Sequence, residues 1–128
     1  DRDQVAQVLT NLCNNAIDAM APGGVLTIRT GGNERSVWLQ VRDTGHGIPK
    51  KYADRIFVPF FTTKKVGEGT GLGLAVSYAI VNKFGGAIRF ESRAAEDGAE
   101  SGTGTTFFVE LQPEYAAAPE PEARRAAK

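Results

Sequence analysis

The chain has 128 residues, 41% of them hydrophobic and 23% charged, a composition typical of one globular domain with its own core. Its 15 basic and 15 acidic residues balance, so no general positive field favours nucleic acid or an anionic membrane surface. One cysteine and one histidine exclude an internal disulfide and the usual zinc site. No apolar run approaches the roughly 18 residues of a membrane span, so we expect a cytoplasmic domain without membrane contact.

The first predicted element is an amphipathic helix. Apolar residues recur at helical spacing from Val5 to Met20, and a Pro-Gly-Gly stop follows. At about 100° per residue, Asn11 and Asn15 lie about 40° apart along one edge of the apolar stripe, whereas Asn14 turns away from it. We therefore expect Asn14 to be solvated and the other two asparagines to share one face.

A β-hairpin is predicted next. Residues 25–30 and 36–43 are rich in β-branched side chains, and Gly31-Gly32-Asn33-Glu34 supplies a turn between them. Asp43 has the same parity as the apolar residues of the second strand, so its carboxylate should face the core. An inward carboxylate is costly unless a group donates hydrogen bonds to it, and a ligand is a candidate donor. The alternative is a turn-starting aspartate before Thr-Gly.

The remaining elements complete a sandwich. We expect a short helix near residues 50–56, a lid from Phe57 through the glycine-rich stretch, a helix at 71–84, and strands at 87–92 and 105–111. Helices and strands segregate, which predicts an α+β fold: a two-layer α/β sandwich with a mixed four- to five-stranded sheet and helices packed on one face. Residues 113–128 are predicted to be a flexible tail after a domain at 1–112.

Four separated segments carry motifs. They are Asn11-Leu12-Cys13-Asn14-Asn15-Ala16, Asp43-Thr44-Gly45-His46-Gly47-Ile48, Gly67-Glu68-Gly69-Thr70-Gly71-Leu72-Gly73-Leu74 and Gly104-Thr105-Thr106-Phe107. In this order they resemble the N, DxGxG, GxGxGLGL and GT boxes of the ATP-binding domain of sensor histidine kinases. The wider family includes DNA gyrase, MutL and a heat-shock chaperone. The resemblance spans about residues 1–111 and implies a Bergerat-type fold with ATP and Mg²⁺ as cofactors.

The DxGxG segment is predicted to form the adenine end of the pocket. A carboxylate walled by apolar side chains is a strong acceptor for the exocyclic amine of adenine, a role that we assign to Asp43. Gly45 and Gly47 would permit special backbone conformations and close approach to the base, and Ile48 belongs to the same pocket. The resemblance adds Thr105, which would share a water with the aspartate. It also places His46 far from the transferred phosphate, so we do not expect this histidine to act as phosphoacceptor.

The N box is predicted to serve the phosphate end. Asn15 matches the metal-coordinating asparagine of the family, and Asn11 its phosphate-side, catalytic partner. Gyrase-like members have a glutamate at the position of Asn11 that activates water. Because that base is missing, phosphoryl transfer to another acceptor is favoured over hydrolysis. The alternative is that both asparagines only occupy exposed helix positions.

A glycine-rich cradle and the lid complete the predicted site. Free N–H groups at a helix start favour an anion, which assigns phosphate binding to a run of six residues: Gly69, Thr70, Gly71, Leu72, Gly73 and Leu74. Lys64 matches a lid lysine of the family and is counted as catalytic, and Lys65 would assist it in neutralising phosphate charge, unless both are merely solvated. Phe57 is counted among the pocket residues, although Phe57, Phe60 and Phe61 together favour a lid anchor and partner contact over base stacking.

The resemblance implies a protein histidine kinase. Its ATP-binding catalytic domain would position Mg·ATP for transfer of the γ-phosphoryl group to a histidine on a separate dimerisation domain, with a response regulator downstream. Two alternatives stay open, an anti-sigma-type protein serine kinase on the same pocket and a nucleotide-gated binding module without transfer.

Overall fold

The structure, a computed structural model, describes residues 2–61 and 72–112. Its helices are α1 (Arg2–Ala19) and α2 (Gly73–Lys83), and its strands are β1 (Thr27–Gly32), β2 (Val37–Arg42), β3 (Ala87–Arg93) and β4 (Gly104–Leu111). These bounds confirm the predicted order of helices, hairpin and later strands. The helix expected near 50–56 is shorter, a single 3₁₀ turn at Lys50–Tyr52, and a second such turn lies at Ala95–Asp97. The predicted tail lies outside the described residues.

The sheet corrects one expectation. Its order is β1-β2-β4-β3, and every pair among the described strands is antiparallel, so it is not the mixed sheet that we expected. The reason is that β4 lies between β2 and β3 and runs against both. Because β2 and β3 are both antiparallel to β4, they run in the same direction, although they do not pair with each other. Helix α2 lies between them in the chain.

The core lies between the helices and the inner face of the sheet. Helix α1 contributes Val8, Leu12 and Ala16, which recur every four residues and therefore share one face. The strands contribute residues of one parity, as the alternation rule predicts. The buried apolar residues of the strands are Val41, Ile88, Phe107, Val109 and Leu111. This packing fixes the rotation of α1 about its axis and hence the direction of its asparagines.

Leu12→Ala should lower the free energy of unfolding by about 3 kcal/mol, since the leucine is 0% exposed and its removal leaves a cavity. Ile17→Ala on the same helix is the matched control, because Ile17 is 56% exposed and its loss should change stability by less than about 0.5 kcal/mol. Urea denaturation followed by circular dichroism measures both variants. Equal destabilisation would contradict the placement of α1.

Candidate nucleotide-binding site

Asp43 lies directly after β2 and is only 5% exposed. Its Oδ1 accepts the backbone N–H groups of Gly45 at 2.8 Å and of Thr105 at 3.2 Å. Within residues 2–61 and 72–112, no protein donor reaches Oδ2. Burial raises the pKa of Asp43 above its ordinary value, and the two backbone hydrogen bonds oppose that shift. The predicted inward carboxylate is confirmed, and its Oδ2 has no donor among the described residues.

The loop after Asp43 is held on both sides by backbone hydrogen bonds. The His46 N–H donates to the Ala19 carbonyl at 3.1 Å, and the Ala95 N–H donates to the His46 carbonyl at 3.1 Å. A Cβ at position 45 would overlap the Ala19 carbonyl, and one at position 47, where φ is 81°, would overlap the Arg93 carbonyl. Both glycines are therefore required by contact with protein backbone, a reason that sequence reasoning did not find.

A hydroxyl network connects this loop to the sheet. The buried Thr105 places Oγ1 at 2.8 Å from the Ser92 Oγ. The Ser92 Oγ accepts the Ile48 N–H at 2.7 Å, and its hydroxyl donates to the Gly104 carbonyl at 3.0 Å. Ile48 packs against the core, as expected for an apolar wall. The network positions two of the predicted pocket residues, Ile48 and Thr105, through a serine that was not predicted.

The predicted phosphate end joins the two helices. The Asn11 Nδ2 donates to the Gly73 carbonyl at 3.2 Å and to the Ser77 Oγ at 3.3 Å. Asn15 is half-buried, and among the described residues its side-chain amide makes no hydrogen bond. Asn14 is exposed, as predicted from its angle on the helix. Helix α1 thus joins the start of α2 through Asn11, while Asn15 lies one turn further along α1 with no side-chain hydrogen bond to the described residues.

The start of α2 is only partly described. The helix begins at Gly73 with Leu72 as its N-cap, and the Val76 N–H donates to the Leu72 carbonyl at 2.9 Å. The N–H groups of this first turn lie at the positive end of the helix dipole, as a phosphate cradle requires. Leu74 packs against the core. Lys64, Lys65, Gly69, Thr70 and Gly71 lie outside the described residues, so their predicted roles stay predictions.

Phe57, at the start of the predicted lid, belongs to an aromatic cluster. Its ring stacks on Tyr78 with centroids 5.1 Å apart and meets the edges of Phe90 at 6.3 Å and Phe107 at 6.4 Å. These contacts support the interpretation of Phe57 as an anchor, and contact with a nucleotide stays a prediction. Phe60, in contrast, is 73% exposed.

Two site residues escaped the sequence analysis, Ser77 and Ser92. Ser77 is 0% exposed, between Leu74 and the buried Ile80 on the apolar face of α2. Ser92 shares the inward parity of Ile88 on β3. A polar residue in an inward register was the available signal in both cases, because such a hydroxyl needs a partner.

Comparison with known proteins identifies the family of this chain. The family described as "Histidine kinase-, DNA gyrase B-, and HSP90-like ATPase" matches residues 1–115. The chain belongs to this family. It is 42% identical over 126 residues to the sensor kinase CckA of Brucella abortus, an alignment covering 87% of this chain and 13% of CckA. The whole relative is thus far longer than this chain.

Two solved structures extend the comparison. The catalytic domain of the histidine kinase ThkA superposes with a TM-score of 0.72 at 35% identity, covering 88% of this chain and 69% of ThkA. Full-length ShkA in complex with AMPPNP gives 0.64 at 31% identity, over 84% of this chain and 21% of ShkA. The chain is therefore an ATP-binding catalytic domain of the sensor histidine kinase type. None of its described helices is long and apolar enough to cross a membrane.

Gly47→Ala should cost more stability than Gly98→Ala. Both glycines have positive φ, 81° and 98°, so each substitution pays about 1 kcal/mol for a left-handed alanine. Only at position 47 does the new methyl group meet backbone, which should add about 2 kcal/mol. Denaturant titration of the two variants tests this, and equal losses would show that the loop is not packed as described.

Proposed function

We propose that this domain binds Mg·ATP through Asp43 and the N box and presents the γ-phosphoryl group to a histidine on a separate dimerisation domain. The observation that supports it most is the buried carboxylate of Asp43 at the end of β2, whose Oδ2 accepts no hydrogen bond from residues 2–61 or 72–112. A nucleobase amine is the kind of donor that this oxygen lacks, and a hydrogen bond to a charged acceptor is stronger than one between neutral groups.

At the phosphate end, the described residues suit a magnesium ion that is held mainly by the nucleotide. Among them, no group of three or more His, Cys, Asp or Glu side chains is arranged to hold a metal. Mg²⁺ commonly keeps several waters and few protein ligands beside phosphate oxygens. The amide oxygen of Asn15, at the edge of α1, is our candidate for the protein ligand, and the ion would neutralise phosphate charge.

The chemistry left to the protein is positioning. Asn11 occupies the position at which a base would activate water, but its amide does not take up a proton at neutral pH. Its Nδ2 also donates hydrogen bonds to two residues of α2. Phosphoryl transfer depends mostly on alignment and charge stabilisation, so a domain without a base suits an imidazole nucleophile supplied by another domain. The lysines of the predicted lid would add positive charge near the transferred group.

The wider setting is proposed from the relatives. The alignment with the sensor kinase CckA covers 13% of that protein. A dimerisation domain, a response regulator and a cytoplasmic location are therefore proposed for a longer protein that contains this domain. ATP and ADP are its proposed small ligands, and nucleic acid is not among its proposed partners.

Asp43→Asn should weaken ATP binding by about 1 to 3 kcal/mol. The amide oxygen can still accept from Gly45 and Thr105, so the fold should hold, while the pocket-facing acceptor becomes a donor. Asp54→Asn is the control because Asp54 is exposed in the turn region after the first 3₁₀ helix. Calorimetric titration of both variants decides it, and equal affinity of Asp43→Asn and wild type would refute the adenine assignment.

Asn15→Ala should remove most of the effect of magnesium on nucleotide binding, since it deletes the proposed ligand oxygen. Asn14→Ala is the matched control on the same helix, because its side chain is exposed and faces away from the site. ATP titrations in Mg²⁺ and in chelator compare the two. If both variants respond to magnesium alike, Asn15 is not the metal ligand.

The chain alone should bind ATP, hydrolyse it slowly and not retain phosphate, because its one histidine, His46, lies in the loop at the adenine end. Adding the dimerisation domain of a parent kinase in trans should produce acid-labile phosphohistidine on that domain, slowly because the two are not tethered. γ-Labelled ATP reports the acceptor. Label on the chain itself that is lost in His46→Gln would contradict the proposal, and label on a partner serine would favour a serine kinase.

A further inference from the structure

Ser92 faces the adenine end of the site from β3. It pairs with Thr105 in the β3–β4 register, so the two side chains stand on the same, inner face of the sheet. Its Oγ has three polar neighbours: the Ile48 N–H at 2.7 Å, the Gly104 carbonyl at 3.0 Å and the Thr105 Oγ1 at 2.8 Å. No other described side-chain hydroxyl contacts both the DxGxG loop and β4.

These neighbours favour one direction for both hydroxyl protons. The Ile48 N–H can only donate and the Gly104 carbonyl can only accept, so Ser92 gives its one proton to Gly104. In that arrangement Thr105, whose Oγ1 lies 2.8 Å from the Ser92 Oγ, is the donor of the bond between the two hydroxyls. With the opposite order, the Ser92 and Gly104 oxygens would face each other at 3.0 Å without a hydrogen between them. This proton order gives Ser92 two accepted hydrogen bonds and one donated hydrogen bond, which satisfies its hydroxyl group fully.

Thr105 consequently offers only lone pairs to the pocket. Asp43 also offers only an acceptor there, because a carboxylate has no hydrogen to give. The two groups are held together, since the Asp43 Oδ1 accepts the Thr105 N–H at 3.2 Å. The part of the site that Asp43 and Thr105 form therefore presents only hydrogen-bond acceptors.

We propose that Ser92 is a positioning residue that sets purine selectivity by keeping the Thr105 hydroxyl an acceptor. The inference rests on the proposed function, since it needs the base to lie at Asp43. A 6-amino purine gives a hydrogen to Asp43, and a water can donate to both its N1 and Thr105. A 6-oxo purine brings a carbonyl oxygen to the same place, where neither the Asp43 carboxylate nor the Thr105 hydroxyl donates a hydrogen to it. If Thr105 were free to turn, its hydroxyl would supply one.

The test compares ATP with inosine triphosphate, which carries an oxygen in place of the 6-amino group. Wild type should prefer ATP. Ser92→Ala removes the acceptor of the Thr105 hydroxyl proton, so this hydroxyl can then donate to the base. The dissociation constant of inosine triphosphate divided by that of ATP should fall about fivefold, the usual contribution of one hydrogen bond. Ser92→Thr keeps the hydroxyl and should keep the wild-type ratio. Loss of the Ile48 contact alone would weaken both nucleotides by one factor and leave the ratio unchanged.

Thr105→Val tests the same proton order without altering Ser92. It should weaken both nucleotides by a similar factor, because the water loses an acceptor in each complex, and Ser92→Ala added to it should no longer change the ratio. Two results would overturn the inference: an unchanged ratio in Ser92→Ala, or a loss in Thr105→Val that falls mainly on inosine triphosphate. Wild type that binds both nucleotides equally would overturn the adenine assignment as well, which separates the two failures.

Discussion

The burial of the Asp43 carboxylate at the end of β2 is the constraint on which the rest of the site depends. Removing an anion from water is expensive, and the raised pKa of Asp43 reflects that cost. Two backbone N–H groups offset part of it, one from the following loop and one from β4. That compensation exists only while β2 and β4 keep their register, because a slip by one residue would turn Thr105 to the outer face.

Helix α1 connects the proposed adenine end of the site to the proposed phosphate end. Leu12 fixes its rotation in the core, Asn11 bonds to Gly73 and Ser77 of α2, and the Ala19 carbonyl accepts the His46 N–H. One rigid element therefore touches the loop at one end of the site and the start of α2 at the other. The spacing between the two ends is set by secondary structure, which holds a long ligand more accurately than loops alone.

Periodicity predicted most of the fold and the direction of the main site residues. The inward Asp43 and the outward Asn14 followed from strand and helix geometry, and both are confirmed. Strand pairing did not follow, because the pattern within β2 and β3 does not reveal that β4 lies between them. Ser77 and Ser92 were missed for a related reason: a hydroxyl can satisfy itself locally or in solvent, and only the assembled sheet and helices show its partners.

The arrangement of hydrogen-bond donors and acceptors explains why such a site would suit a kinase whose nucleophile comes from another domain. At the proposed adenine end, Asp43 and Thr105 would present hydrogen-bond acceptors, positioned by Ser92 and by backbone N–H groups. At the proposed phosphate end, the start of α2 would favour an anion and the Asn15 oxygen would favour Mg²⁺, and neither is a proton acceptor at neutral pH. A water near the γ-phosphate then gains little activation from the described residues. The imidazole of the proposed partner domain, which carries its own lone pair, would need only to be aligned with the phosphoryl group.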